Sequence, residues 1–168
     1  PSQIVPYEGA ATGIGGNVRD VCCMGAEVMA LGDSLRFGGV DRNKTKWIHD
    51  GVVSGIAGYG NPLGIPNVCG DLYFDEEYNE NCLVTVLTAG IVKEKNVIRS
   101  RSPKNSAGYD LILVGKPTDN SGFGGASFAS LELEEEKKQQ NKGAVQEPNA
   151  FLERHILKST YALFEQLE

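Results

Sequence analysis

From residue 151 to 168, apolar side chains return every three or four positions, at Leu152, Ile156, Leu157, Tyr161, Phe164 and Leu167. That spacing marks one face of an amphipathic helix. A second helical period runs through residues 44–59, with Trp47, Ile48, Val52, Val53 and Ile56 on one side. Residues 68–74, 83–92 and 110–114 form shorter runs that predict strands, the last two nearly continuously apolar. Residues 27–36 have strand character in their apolar half, and residues 17–24 predict a helix that starts after a run of glycines. Between body and terminal helix lies ELEEEKKQQNKG (132–143), whose charge and lack of aromatics predict a solvated linker or loop. The pattern as a whole predicts an α/β or α+β chain with a boundary near residue 143. The terminal helix has a broad apolar face, little chain after it and no glycine or proline stop. Together with an opening proline, this reads as a piece of something longer.

Composition narrows the class. A length of 168 residues sets a prior of about one domain. Sixteen basic against twenty-two acidic residues give a net charge of −6, which argues against a dedicated nucleic-acid binder. Phosphorylated small molecules remain open, because local donors hold them rather than net charge. No run approaches the length of a membrane span, and no charged-then-apolar leader opens the chain. Cys22, Cys23, Cys69 and Cys82 have no zinc-type C-x-x-C spacing and read as reduced core or near-core thiols of a cytoplasmic protein. Glycine is the outlier, with 21 residues against a usual share of about 7 %.

The glycines cluster where chemistry is plausible. In GAATGIGGNVRD (9–20), Gly13, Gly15 and Gly16 precede Arg19 and Asp20. A glycine loop opening a helix brings backbone N–H groups to an anion, with the helix dipole in support. The segment fails the dinucleotide fingerprint, because Val18 stands at the third glycine position, and it lacks the lysine and hydroxyl of a Walker loop. Two readings therefore stand: a tight turn with a surface ion pair, or a phosphate loop in which Arg19 grips an anion and Asp20 offers a hard oxygen to magnesium. GFGG (122–125), with Gly124, carries the same two readings. His49 beside Asp50 could support acid–base work but reads better as a surface or capping residue, and His155 as a helix-edge residue. Asp33, Ser34 and Arg36 lack a histidine for a hydrolytic triad and read as a structural turn beside a cleft. The acidic run 132–136 reads as a solvated face.

Longer segments carry a family resemblance. PYEGAATGIGGNVRDV (6–21), GDSLRFG (32–38), GVVSGIAGYGNPLGIPNVCGDLYFDEEY (51–78), GFGGASFAS (122–130) and AVQ (144–146) occur in the order found in phosphoribosylformylglycinamidine synthase. The chain resembles the synthetase subunit of that family's smaller, multi-subunit form, within the aminoimidazole ribonucleotide synthetase superfamily. The resemblance implies an ATP- and Mg2+-dependent ligase of purine biosynthesis, in which formylglycinamide ribonucleotide is activated at its amide oxygen and ammonia displaces phosphate. It implies as partners a glutaminase subunit, which supplies the ammonia, and a small accessory subunit. By the same resemblance Arg19 and Gln146 are substrate contacts and Asp20 is a magnesium ligand. Gln146 is followed by Glu147-Pro148-Asn149-Ala150, where the family has Val-Gly-Asp-Pro. Asp71 replaces the family's usual glutamate and is not counted as a ligand.

The family's acidic-Ser-His-Asn-His motif, with the catalytic histidine, is expected immediately ahead of Pro1. No catalytic residue is therefore assigned here, and the chain alone is expected to be inactive. The implied fold is α+β: a four-stranded sheet with helices on one face that pairs with a counterpart into a barrel, so that this chain would dimerise through its open face. Residues 1–142 would form that domain, and 143–168 the linker and first helix of the next. Two other functions remain: a related synthetase of the same superfamily, such as a selenophosphate, thiamine-phosphate or hydrogenase-maturation enzyme, and a non-enzymatic nucleotide-binding or assembly module.

Overall fold

The structure is a computed structural model and describes residues 1–117, 119–123, 143 and 145–167. Its regular elements run α1 (Pro6–Cys23), β1 (Glu27–Phe37), α2 (Asn43–Leu63), β2 (Asn67–Phe74), β3 (Cys82–Ile91) and α3 (Ala150–Leu167). Short 3-10 turns follow β2 and β3.

Among the described residues the sheet has three strands in the order β2-β1-β3, with β1 parallel to β2 and antiparallel to β3. The expected fourth strand, 110–114, joins no ladder. Leu111, Ile112, Leu113 and Val114 stand in solvent there instead. An apolar run becomes a strand only where a free edge and a covering face meet it, and among the described residues nothing supplies both to this one. The expected α+β architecture is present, and among the described residues its sheet has three strands and one open face.

Alternation along β1 divides the sheet into two faces. Leu31, Leu35 and Phe37 point toward the helices and are buried with Ala10, Ile14 and Val18 of α1 and Ile48, Val52 and Ile56 of α2. The opposite face is open. Leu83, Leu87 and Ile91 of β3 and Tyr73 of β2 are all large and exposed on it. Arg36 crosses the same face, making paired bonds of 3.0 and 2.9 Å to the two oxygens of Asp71, with its guanidinium 5.8 Å from the Tyr73 ring centre. Asp33, Ser34 and Arg36 therefore belong to the central strand rather than to a turn.

The first helix corrects the sequence reading most. It begins at Pro6, a favoured first-turn residue, and runs straight through the glycine cluster to Cys23. Ala10, Ile14, Val18 and Cys22 recur at every fourth position and supply its buried stripe. The glycines are what let α1 lie against α2. A Cβ on Gly15 would stand 2.6 Å from the Tyr59 ring, one on Gly51 2.6 Å from Pro6, and one on Gly55 would overlap the Tyr7 carbonyl oxygen. The second helix extends past the predicted end to Leu63 and stops at Gly64, whose φ of 70° is a left-handed cap.

The terminal helix is where the periodicity put it. Leu157 joins the main core, and the Tyr161 hydroxyl donates no bond to the sheet but accepts one from the Val28 N–H at 3.0 Å. The thiols divide evenly. Cys22 is buried and Cys82 half-buried, and burial pushes each up to about 11, while Cys23 and Cys69 are exposed. No helix among the described residues is long and apolar enough to cross a membrane.

Candidate functional site

Arg19 and Asp20 lie in the final third of α1, both exposed. Residues seven apart on a helix fall nearly on one line, so Thr12 and Arg19 share a face about 10 Å apart along the axis, with Gly16 between them. A Cβ at Gly16 would meet nothing within 4 Å. This bare strip is bounded at one end by residues 145–147 and at the other by α3.

Several contacts dock residues 145–147 on α1. The Thr12 hydroxyl donates to the Gln146 carbonyl at 3.3 Å, and Val145 is buried with Ile4. Gly122, at φ 69°, closes over Gln146, and a Cβ there would stand 2.5 Å from Gln146 Cγ. Lys116 ties the neighbouring turn to Glu147 at 3.2 Å and to Asp119 at 2.5 Å, which holds the Asp119 carboxyl well below the usual carboxylate range. The backbone of Gln146, 126 positions after Asp20 in sequence, thus docks at Thr12, two turns before Arg19 on α1, and among the described residues no contact joins Gln146 to Arg19 or Asp20.

At the other end, Arg19 Nη1 stands 3.6 Å from a carboxylate oxygen of Glu153, a residue of α3 only 3 % exposed. The Tyr59 hydroxyl donates to that same oxygen at 2.6 Å. Burial raises the Glu153 carboxyl above its ordinary range, against the pull of Tyr59 and Arg19, and burial also raises Tyr59. Reading the sequence missed both residues. The available signal was an acid on the apolar side of α3, one turn before Leu157.

The other expectations resolve as follows. Gly13, Gly15 and Gly16 are inside a helix, where backbone N–H groups are already bonded to the preceding turn, so they form no phosphate loop. Gly124 lies outside the described residues, as do residues 132–142 of the acidic segment. Asp71 has both oxygens on Arg36, which holds its carboxyl below the usual range. His49 packs edge-on against Phe37 at 5.2 Å and lies 3.1 Å from Asp50. His155 bonds the Phe151 carbonyl within its own helix.

For a metal, Asp20 is a single exposed carboxylate, and among the described residues no three metal-ligating side chains cluster. Magnesium commonly takes one or two carboxylates plus substrate phosphates, so Asp20 fits as one contributor to such a site. Two concavities lie elsewhere: about 270 Å³ between α2 and β1, and about 820 Å³ between β3 and α3. Neither includes Arg19, Asp20 or Gln146.

This arrangement has a known class. Residues 1–92 match the family described as AIR synthase related protein, N-terminal domain, and the chain belongs to that family. Among curated relatives, the chain is 53 % identical to the phosphoribosylformylglycinamidine synthase subunit PurL of Methanothrix thermoacetophila, over 98 % of this chain and 22 % of the relative. It is 48 % identical to PurL of Methanopyrus kandleri, over 94 % of this chain and 21 % of that protein. The chain thus spans between a fifth and a quarter of the relatives it matches. Of solved structures, T. maritima PurL complexed with FGAR superposes with a TM-score of 0.79 at 34 % identity, over 99 % of this chain and 26 % of that one. T. maritima PurL complexed with ATP gives 0.73 at 31 %, over 99 % and 23 %. The structure of PurLQS from Thermotoga maritima gives 0.69 at 30 %, over 99 % and 24 %.

Proposed function

We propose that this chain is part of an ATP-dependent ligase that converts formylglycinamide ribonucleotide and ammonia to formylglycinamidine ribonucleotide. The observation that carries the reading is the similarity over nearly the whole chain to proteins of that name, supported by Arg19 and Asp20 standing exposed on α1 and by the docking of residues 145–147 at Thr12 of the same helix. The similarity to T. maritima PurL complexed with FGAR and with ATP supports the choice of substrates.

On this reading Arg19 supplies a planar, permanently charged donor for an anionic or carbonyl oxygen of the nucleotide. Gln146 adds neutral donors and an acceptor that fix its orientation. The bare backbone at Gly16 lets the ligand lie close to the helix. Asp20 would help to hold Mg2+, which when bound neutralises phosphate charge. The chemistry transfers a phosphoryl group from ATP to the amide oxygen; ammonia then adds to that carbon and phosphate leaves. The groups that move protons in these steps are not assigned to this chain, which alone is expected to be inactive. A glutaminase subunit and a small accessory subunit are the proposed partners, the cytoplasm the proposed location, and residues 143–168 the proposed start of a following domain.

The test is ADP release by the intact protein given ATP, Mg2+ and ammonia. Release that depends on formylglycinamide ribonucleotide is expected. Release triggered instead by selenide or thiamine phosphate would assign a sister synthetase, and no turnover with any of them would favour a binding module.

The open sheet face supports the finer fold reading. Leu83, Leu87, Ile91 and Tyr73 form an apolar patch of the kind that proteins cover. We infer that a counterpart sheet covers it, in a barrel-like pairing. Made alone, this chain should self-associate, and Leu87→Glu should abolish the association; a strictly monomeric sedimentation profile at high concentration would contradict the pairing.

A further inference from the structure

We propose that Glu153 is a positioning residue: a buried carboxylate that, held by Tyr59, fixes the guanidinium of Arg19 on the substrate side of α1. The inference rests on the substrate role of Arg19 proposed above.

Three helices contribute to the device. Gly15 of α1 leaves room for the Tyr59 ring, which a Cβ would strike at 2.6 Å. Tyr59, only 5 % exposed on α2, directs its hydroxyl to Glu153 Oε2 of α3 at 2.6 Å. The same oxygen faces Arg19 Nη1 at 3.6 Å, which returns the path to α1 one turn beyond Gly15. The second carboxylate oxygen, Oε1, is buried and, among the described residues, has no hydrogen-bond partner.

A carboxylate so placed is a poor choice for stability alone. Burying a charge with one hydrogen bond and one ion pair costs more than burying a neutral group of the same shape. Glutamine at 153 would keep the bond from Tyr59 and remove the charge. What glutamine would not provide is attraction for the Arg19 side chain, which is 53 % exposed and would otherwise sample many rotamers. Attraction to Glu153 narrows that range and holds the guanidinium at the α3 end of the strip, with its other donors available to a ligand. The arrangement separates two consequences that usually travel together, because loss of the charge relaxes the core while loosening the site.

The experiment uses the intact protein and compares Glu153→Gln, Tyr59→Phe, Arg19→Ala and the double variant Arg19→Ala/Glu153→Gln. Glu153→Gln is expected to melt at or above the parent temperature, yet to raise the KM for formylglycinamide ribonucleotide about tenfold, with kcat changed less than KM. Tyr59→Phe should raise KM by a smaller factor. The double variant should be no worse than Arg19→Ala alone, because the two residues act as one unit. Parental KM in Glu153→Gln, with raised KM in Arg19→Ala, would overturn the positioning role and leave the substrate role of Arg19 intact. Additive losses in the double variant would overturn it as well. Parental KM in Arg19→Ala would remove the substrate role, and the proposal with it. If Glu153→Gln does not fold, Tyr59→Phe decides: raised KM supports the device, and parental KM overturns it.

Discussion

Asp20→Asn in the intact protein is expected to lower kcat about a hundredfold or more and to raise the Mg2+ concentration needed for half-maximal rate, without loss of thermal stability. Asp20 is exposed in the last turn of α1, and among the described residues it has no hydrogen-bond or ion-pair partner. The C-terminal end of a helix carries negative partial charge, so an acid there is unfavourable by a few tenths of a kcal/mol, up to about 1 kcal/mol. Asparagine is nearly isosteric and relieves that repulsion. A stability role would show a lowered melting temperature, and no role at all a neutral or raised one with full activity. A metal-binding role would show the same melting temperature with activity lost and partly restored by excess Mg2+. Steady-state rates over a Mg2+ titration, beside a thermal melt, distinguish the two, and an unchanged rate curve would withdraw Asp20 from the site.

The second large effect concerns the helix pair beneath the site. Gly55→Ala is expected to destabilise the protein by about 3 kcal/mol, at the upper end of overpacking costs. The added Cβ would overlap the Tyr7 carbonyl oxygen, and backbone cannot turn aside as a side-chain tip can. α1 would have to lift from α2, disturbing Ile14 and Val18 against Ile48 and Val52. Gly15→Ala should destabilise less, because it pushes a ring tip, although that ring is anchored on Glu153. Gly16→Ala should do the reverse. Its Cβ would enter open space, so the intrinsic preference of a helix for alanine, about 1 kcal/mol, should appear as added stability. If the ligand lies on the strip, that same variant should lose substrate affinity. Thermal melts of the three variants check the order, and equal losses at all three positions would contradict the packing account.

Legibility in the sequence followed physical cause. Helices α2 and α3 were readable because their apolar residues keep a helical period, and strands β1, β2 and β3 because short apolar, β-prone runs mark them, although β2 is exposed along its whole length. The start of α1 was hidden because glycines usually break helices; here Gly15 is required by the approach of Tyr59, a contact 44 residues away in sequence that local pattern does not carry. The stripe Ala10, Ile14, Val18, Cys22 was nevertheless present. Residues 110–114 misled in the opposite sense, because apolarity predicts burial and among the described residues no surface covers them. Of the site, Arg19, Asp20 and Gln146 were legible only through long segments resembling a family. That Thr12 is where residues 145–147 dock depends on tertiary contacts. Glu153 and Tyr59 went unread because an acid within a helix is ordinarily solvated, and only the packing of α3 on α1 and α2 shows this one to be buried.

The central claim is that the exposed strip of α1 is part of a nucleotide-binding site. The measurement that tests it most directly is a crystal structure of the intact protein soaked with formylglycinamide ribonucleotide, Mg2+ and a non-hydrolysable ATP analogue. The account predicts ligand oxygens or nitrogens within hydrogen-bond distance of Arg19 and Gln146, and a metal ion coordinated by Asp20. Ligand bound elsewhere, with Arg19 and Asp20 left facing solvent, would contradict it.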